Sequence, residues 1–105
     1  MAQREVIEKV RKYILLLVSK GIPIEKAFLY GSYARNEATE HSDIDVMLVS
    51  DYFESGIKAK SQPWRYATEI DGRIEPLSVS LKKFLNDDGS PIIEVVRQEG
   101  IEIKI

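Results

Sequence analysis

A chain of 105 residues predicts one domain around a single modest core, too short for a catalytic domain plus a separate substrate domain. Charged residues at 30% and hydrophobic ones at 44% exclude a disordered chain, and a net charge of −2 leaves no broad basic surface for a nucleic-acid backbone. Cysteine is absent, which excludes a disulfide framework, a thiolate metal site and a cysteine nucleophile and suits a reducing cytoplasm. The longest apolar run, Ile14 to Val18, is too short to span a bilayer, and Met1 to Glu5 reads as the start of an amphipathic helix rather than a signal peptide. The expectation is a soluble, cytoplasmic single domain over residues 1–105.

From Ala2 to Lys20 apolar residues recur at Val6, Ile7, Val10, Ile14, Leu17 and Val18, opposite a face of Glu5, Glu8, Lys9, Arg11 and Lys12. This is a helix ended by Gly21. Ala27 to Tyr30, closed by Gly31, predicts a buried strand, and Ser32 predicts an N-cap for a short helix through Asn36. Strand, Gly-Ser turn and helix start together aim backbone amides at an anion. Ile44 to Val49 predicts a second strand that opens on Asp43 and Asp45, which share a face because side chains alternate along a strand.

Asp51 to Gln62, with Gly56 and mixed charges, predicts a mobile loop leading to a helix over Trp64 to Ile70. Asp71-Gly72 predicts a turn and Arg73 to Val79 a third strand, which Pro76 confines to a sheet edge or interrupts. Ser80 caps a brief helix through Leu85. Pro91 and Gly100 bracket another helix to Glu99, and alternating Ile101, Ile103 and Ile105 predict a last strand. The order predicts an α/β or α+β fold with a small mixed sheet.

Gly31-Ser32 and Asp43-Ile44-Asp45 stand ten residues apart. With each residue type at roughly 5 to 7% usage, four fixed identities at fixed offsets arise by chance in about one such chain per thousand. Gly31 lets backbone approach a phosphate closely, and the Ser32 hydroxyl with its neighbouring amides can bind it. Hard cations such as Mg²⁺ accept one or two carboxylates plus substrate phosphates, which a same-face Asp43/Asp45 pair supplies, and Glu75 on the third strand is the candidate for a third carboxylate. Such a set suits chemistry on a nucleoside triphosphate. Arg35 is in reach of a phosphate, but equally of Glu37 or Glu40.

These residues resemble the minimal nucleotidyltransferases of the DNA polymerase beta superfamily. Gly31, Ser32, Asp43 and Asp45 match the motif one for one, Ser42 and Arg35 fall in its serine and arginine slots, Glu75 fits the third acidic position, and Asn36 stands where glycine is frequent. The resemblance implies the palm-like nucleotidyltransferase fold, ATP or another nucleotide as donor, two Mg²⁺ ions held by Asp43, Asp45 and Glu75, and transfer of a nucleoside monophosphate to a hydroxyl. It further implies a HEPN-domain toxin encoded nearby as partner, with one of its tyrosines as acceptor.

Competing readings weigh against particular residues. In haloacid-dehalogenase-type phosphatases and many glycosyltransferases the Asp-x-Asp pair ends a hydrophobic strand, whereas here the acids open one. His41, the lone histidine, sits in a polar loop and is expected to be exposed rather than a base. Trp64, Tyr66 and Phe53 are expected in core or partner contacts rather than stacked on a base. The other functional class is a non-catalytic antitoxin or binding module that neutralises a partner by contact.

Overall fold

In the computed structural model, which describes residues 1–86 and 89–105, a four-stranded mixed sheet carries helices on both faces. The first helix, α1, spans Gln3–Ser19. Ile22 N donates to Leu17 O and Gly21 N to Val18 O, a closing pattern that needs the left-handed backbone of Gly21 at φ 85°. Its inner face is Val6, Val10, Tyr13, Ile14 and Leu17. Val18, expected in the stripe, is exposed, and Tyr13 is buried in its stead because its hydroxyl donates to Pro63 O at 2.5 Å.

Strand β1 (Lys26–Tyr30) runs antiparallel to β2 (Ile44–Val49), which runs parallel to β3 (Ile74–Val79). The order is β3-β2-β1-β4, so the Pro76 strand lies at an edge, as expected. The expected helix after Gly31 is only a 3-10 turn over Gly31–Tyr33, in which Ser32 makes no capping bond. Too few residues separate the turn from the following loop for a costly helical nucleus to propagate.

The expected mobile loop Asp51 to Gln62 is structured. Ser50, fully buried, accepts from Tyr52 N and opens a 3-10 turn over Asp51–Ser55, and helix α2 then runs over Ile57–Ile70 with Pro63 inside it. Its inward residues Ala59, Pro63 and Ala67 are small, so the apolar period was faint. Helix α3 (Leu81–Asn86) starts where Ser80 Oγ accepts from Lys83 N, and α4 covers Pro91–Glu99. The expected last strand shortens to β4, Ile101–Glu102, paired with Leu29 and Phe28; Ile103 still packs in the core while Ile105 is exposed.

Alternation along the strands divides the core. Ala27, Leu29, Ile44, Val46, Leu48 and Ile74 pack against α1 and α2. Met47, Val49 and Val79 pack against Phe84 of α3 and Ile93 and Val96 of α4, where Phe28 and Phe84 stack at 5.5 Å. The second face is the one that matters for chemistry, because Asp45 shares the parity of Met47 and Val49. Among the described residues no helix is long and apolar enough to cross a membrane.

Candidate active site

On that second face the sheet register lines up three polar side chains across three strands. Tyr30 is the cross-strand partner of Asp45, and Asp45 is the partner of Glu75. Neighbouring strands lie about 4.8 Å apart, so side chains in one row are immediate neighbours. Asp43 stands two residues upstream of Asp45, just before β2 begins. The next row, Phe28, Met47 and Leu77, is apolar and meets α3 and α4. The carboxylates therefore sit at the end of the face, where the apolar packing stops.

Burial raises the Asp45 carboxyl above the usual carboxylate range, and the charges of Glu75 and Asp43 add to the effect, while Arg35 opposes it. The Tyr30 hydroxyl is pushed up to about 12 by burial and by Asp45 and Glu75. Among the described residues no side chain or backbone donor hydrogen-bonds the Asp43, Asp45 or Glu75 carboxylates. Asp45 is half-buried without a donor while Asp43 and Glu75 beside it are exposed, so the cost of like charge falls mainly on Asp45, and a cation there would relieve it.

Gly31 packs directly on this row. It has φ +76°, and a Cβ added there would collide with Asp45 Oδ2 and stand 3.2 Å from Asp45 Cγ. The Gly-Ser turn and the second aspartate of the motif are thus in contact, which is the steric reason for glycine at this position. Ser32 is partly exposed at the turn. Asn36 closes the segment at φ 61°, in the left-handed region that glycine favours and asparagine tolerates better than other residues.

The other expected site residues are engaged elsewhere. Arg35 is exposed; its Nε donates to Glu37 at 2.7 Å and its Nη1 to Glu99 of α4 at 3.0 Å. Ser42 Oγ accepts from Thr39 N at 2.8 Å, closing the turn before Asp43. His41 is exposed, Phe53 is buried in the core, Tyr66 packs against that core, and Trp64 is 53% exposed. Among the described residues no three His, Cys, Asp or Glu side chains are gathered closely enough to hold a metal ion as they stand, so the expected convergence of Asp43, Asp45 and Glu75 on one point is not seen in these side-chain positions. The donor set itself, Asp45 and Glu75 in one row with Asp43 two residues upstream of Asp45, beside a glycine cradle, has the oxygen ligands that hard divalent cations take. A hollow beside α3, lined by Ser80, Lys82, Lys83 and Asn86, contains none of the expected site residues.

Tyr30 was missed by sequence reasoning. Its signal was positional: the residue before Gly31 ends a strand at the parity that faces the aspartates once β1 and β2 pair.

The class defined by this fold and motif is confirmed by sequence: residues 12–104 match the family described as polymerase beta, nucleotidyltransferase, and the chain belongs to that family. A crystal structure from Sulfolobus solfataricus, of a protein described as a nucleotidyltransferase, is similar in fold, with TM-score 0.67 at 17% identity over 95% of this chain and 80% of that one. No curated protein matches the sequence. Family and fold together support nucleotidyl transfer as the general activity and a nucleoside triphosphate as substrate.

Proposed function

We propose that the protein is a cytoplasmic, Mg²⁺-dependent nucleotidyltransferase that moves AMP from ATP to a hydroxyl, with a tyrosine of a HEPN-domain toxin as the acceptor. The observation that carries the reading is the cross-strand row Tyr30, Asp45, Glu75, with the Gly31 turn packed on Asp45. Asp43, Asp45 and Glu75 are the residues to hold the metal ions. Magnesium bound there supplies positive charge to the attacking, phosphoryl and leaving oxygens of an in-line displacement.

The chain's own residues do the rest by positioning. Gly31 and Ser32 form the turn for the phosphate tail, close to Asp45 because no Cβ intervenes. Arg35 reaches a phosphate by exchanging its exposed pairing with Glu37 and Glu99, a change that costs little at the surface. Transfer forms a bond from the acceptor oxygen to the α-phosphorus as its hydroxyl proton leaves to solvent, and breaks the bond from the α-phosphorus to the α,β-bridging oxygen, releasing pyrophosphate.

The test uses ATP labelled at the α-phosphate, with Mg²⁺ and the HEPN-domain protein encoded nearby. Label on that partner with wild type, none with Asp43→Asn or Asp45→Asn, and a near-normal rate with His41→Ala is the expected pattern. Transfer at the wild-type rate by the Asp43→Asn, Asp45→Asn double mutant refutes the mechanism. A contact-only role for the chain is favoured by one feature, the exposed Ile57 (86%) and Trp64 on α2. Inhibition of the partner that survives Asp45→Asn supports that role.

A further inference from the structure

We infer that Arg73 is a positioning residue of the nucleotide site, holding the Gly31–Tyr33 turn in place against the strands that carry the carboxylates. The inference rests on the nucleotidyltransferase reading above, since it assigns a role within that site.

Arg73 lies between the Asp71-Gly72 turn and β3, two residues before Glu75. Its backbone carbonyl accepts from Ile44 N at 2.8 Å, the residue between Asp43 and Asp45. Its guanidinium forks onto Asp71, with Nε to Oδ1 at 3.0 Å and Nη2 to Oδ2 at 2.7 Å, and its own amide donates to Oδ1 at 2.9 Å. Lys9 of α1 donates to the same carboxylate at 2.8 Å. This leaves Nη1, which donates to Tyr33 OH at 3.3 Å, forty residues back in sequence and inside the Gly-Ser turn. Tyr33 OH donates onward to Thr39 O at 3.4 Å, and that carbonyl also accepts from Ser42 N, next to Asp43. Arg73 thus reaches the Gly31–Tyr33 turn through its side chain and the Asp43–Asp45 segment through its backbone carbonyl, two residues before Glu75.

The need for such a link follows from the register. Backbone pairing fixes Asp45 against Glu75, but β1 pairs with β2 only as far as Tyr30. The turn beyond it is held by Tyr33, through Arg73 at its hydroxyl and through Gln3 Nε2 at its carbonyl, 2.9 Å away. Because Gly31 already abuts Asp45, a small movement of the turn changes the space left for phosphate. The role is geometric rather than a matter of counter-charge. Arg73 is engaged by Asp71, and the cation that acts on Asp45 is Arg35. A planar fork suits this task and an ammonium does not, since lysine cannot grip Asp71 at two oxygens and reach Tyr33 as well.

The experiment measures calorimetrically the affinity of the full chain for the Mg²⁺ complex of a non-hydrolysable ATP analogue, alongside melting temperature, for Tyr33→Phe, Arg73→Met, Arg73→Lys and the Tyr33→Phe, Arg73→Met pair. Each of the first two should weaken binding about five- to tenfold, the scale of one hydrogen bond. The pair should bind no more weakly than Arg73→Met alone, because both changes cut the same link. Arg73→Lys should recover melting temperature through Asp71 without recovering affinity, a split that a purely structural role does not produce. Unchanged affinity in Tyr33→Phe and Arg73→Met, or effects that simply add, overturns the inference. Should Arg73→Met fail to fold, Tyr33→Phe decides alone, since it removes one oxygen from an intact chain. Wild type that binds no Mg²⁺-dependent triphosphate overturns the site reading itself.

Discussion

Gly31→Ala should damage this protein twice, once through backbone strain and once through collision. At φ +76° an L side chain sits in the left-handed region, which costs about 1 to 2 kcal/mol. The new Cβ would also overlap Asp45 Oδ2, and that oxygen must retreat by about 1 Å to restore ordinary contact. A 1 Å misplacement at a reacting centre costs about a hundredfold in rate. Gly21→Ala is the matched control, because Gly21 has φ +85° with nothing within 4 Å of an added Cβ. Urea unfolding and Mg²⁺-dependent transfer, run on both variants, separate the effects. Both should lose about 1 to 2 kcal/mol of stability, and only Gly31→Ala should lose about two orders of magnitude in transfer. Equal transfer by the two variants would refute the argument that the turn is packed on a functional carboxylate.

Asn36→Gly should leave stability within about 0.5 kcal/mol or raise it, while Asn36→Val should cost about 1 to 2 kcal/mol, because φ 61° suits asparagine and glycine but not a β-branched side chain; urea unfolding measures both. Asp45→Asn should abolish transfer yet slightly raise stability at neutral pH, since burial and neighbouring charge hold the carboxyl above its ordinary range. The sign follows from proton uptake: the folded state takes up a proton more readily, so this group adds stability as pH falls through its raised pKa, and thermal scans should lose that increment in the Asn variant. Asp71 runs the opposite way. Hydrogen bonds from Arg73, then from Lys9, outweigh burial and hold it well below the usual carboxylate range. Its stabilisation is present above the unfolded value of about 3.9 and fades as pH falls below it. Asp71→Asn should therefore lower stability at pH 7 by about 1 to 3 kcal/mol and flatten the acid limb of a melting-temperature profile.

Much of this was legible in the sequence because local rules agreed with the fold. Pro91 and Gly100 bracket α4 as expected, Ser80 caps α3, and Pro76 falls on an edge strand. The spacing of Gly31-Ser32 and Asp43/Asp45 was readable, and the contact between Gly31 and Asp45 gives it a steric meaning. What escaped has identifiable causes. The first half of α2 was hidden because its buried positions are Ala59 and Pro63, too small to write a strong apolar period. Tyr13 was passed over because its burial depends on an acceptor fifty residues away, Pro63 O. Ile105 was assigned to a strand by alternation alone, but the ladder between β4 and β1 covers only Ile101 and Glu102. Tyr30 and Arg73 matter through partners on other strands, and nothing in their immediate neighbours announces them.

The central claim is that Asp43, Asp45 and Glu75 form one cation-dependent nucleotide site. Calorimetric titration of wild type with a non-hydrolysable ATP analogue, with and without Mg²⁺, tests it directly when repeated on Asp45→Asn and on Glu75→Gln. Binding that requires Mg²⁺ in wild type and falls at least tenfold in each variant is the predicted result; equal, Mg²⁺-independent binding by all three proteins would contradict it.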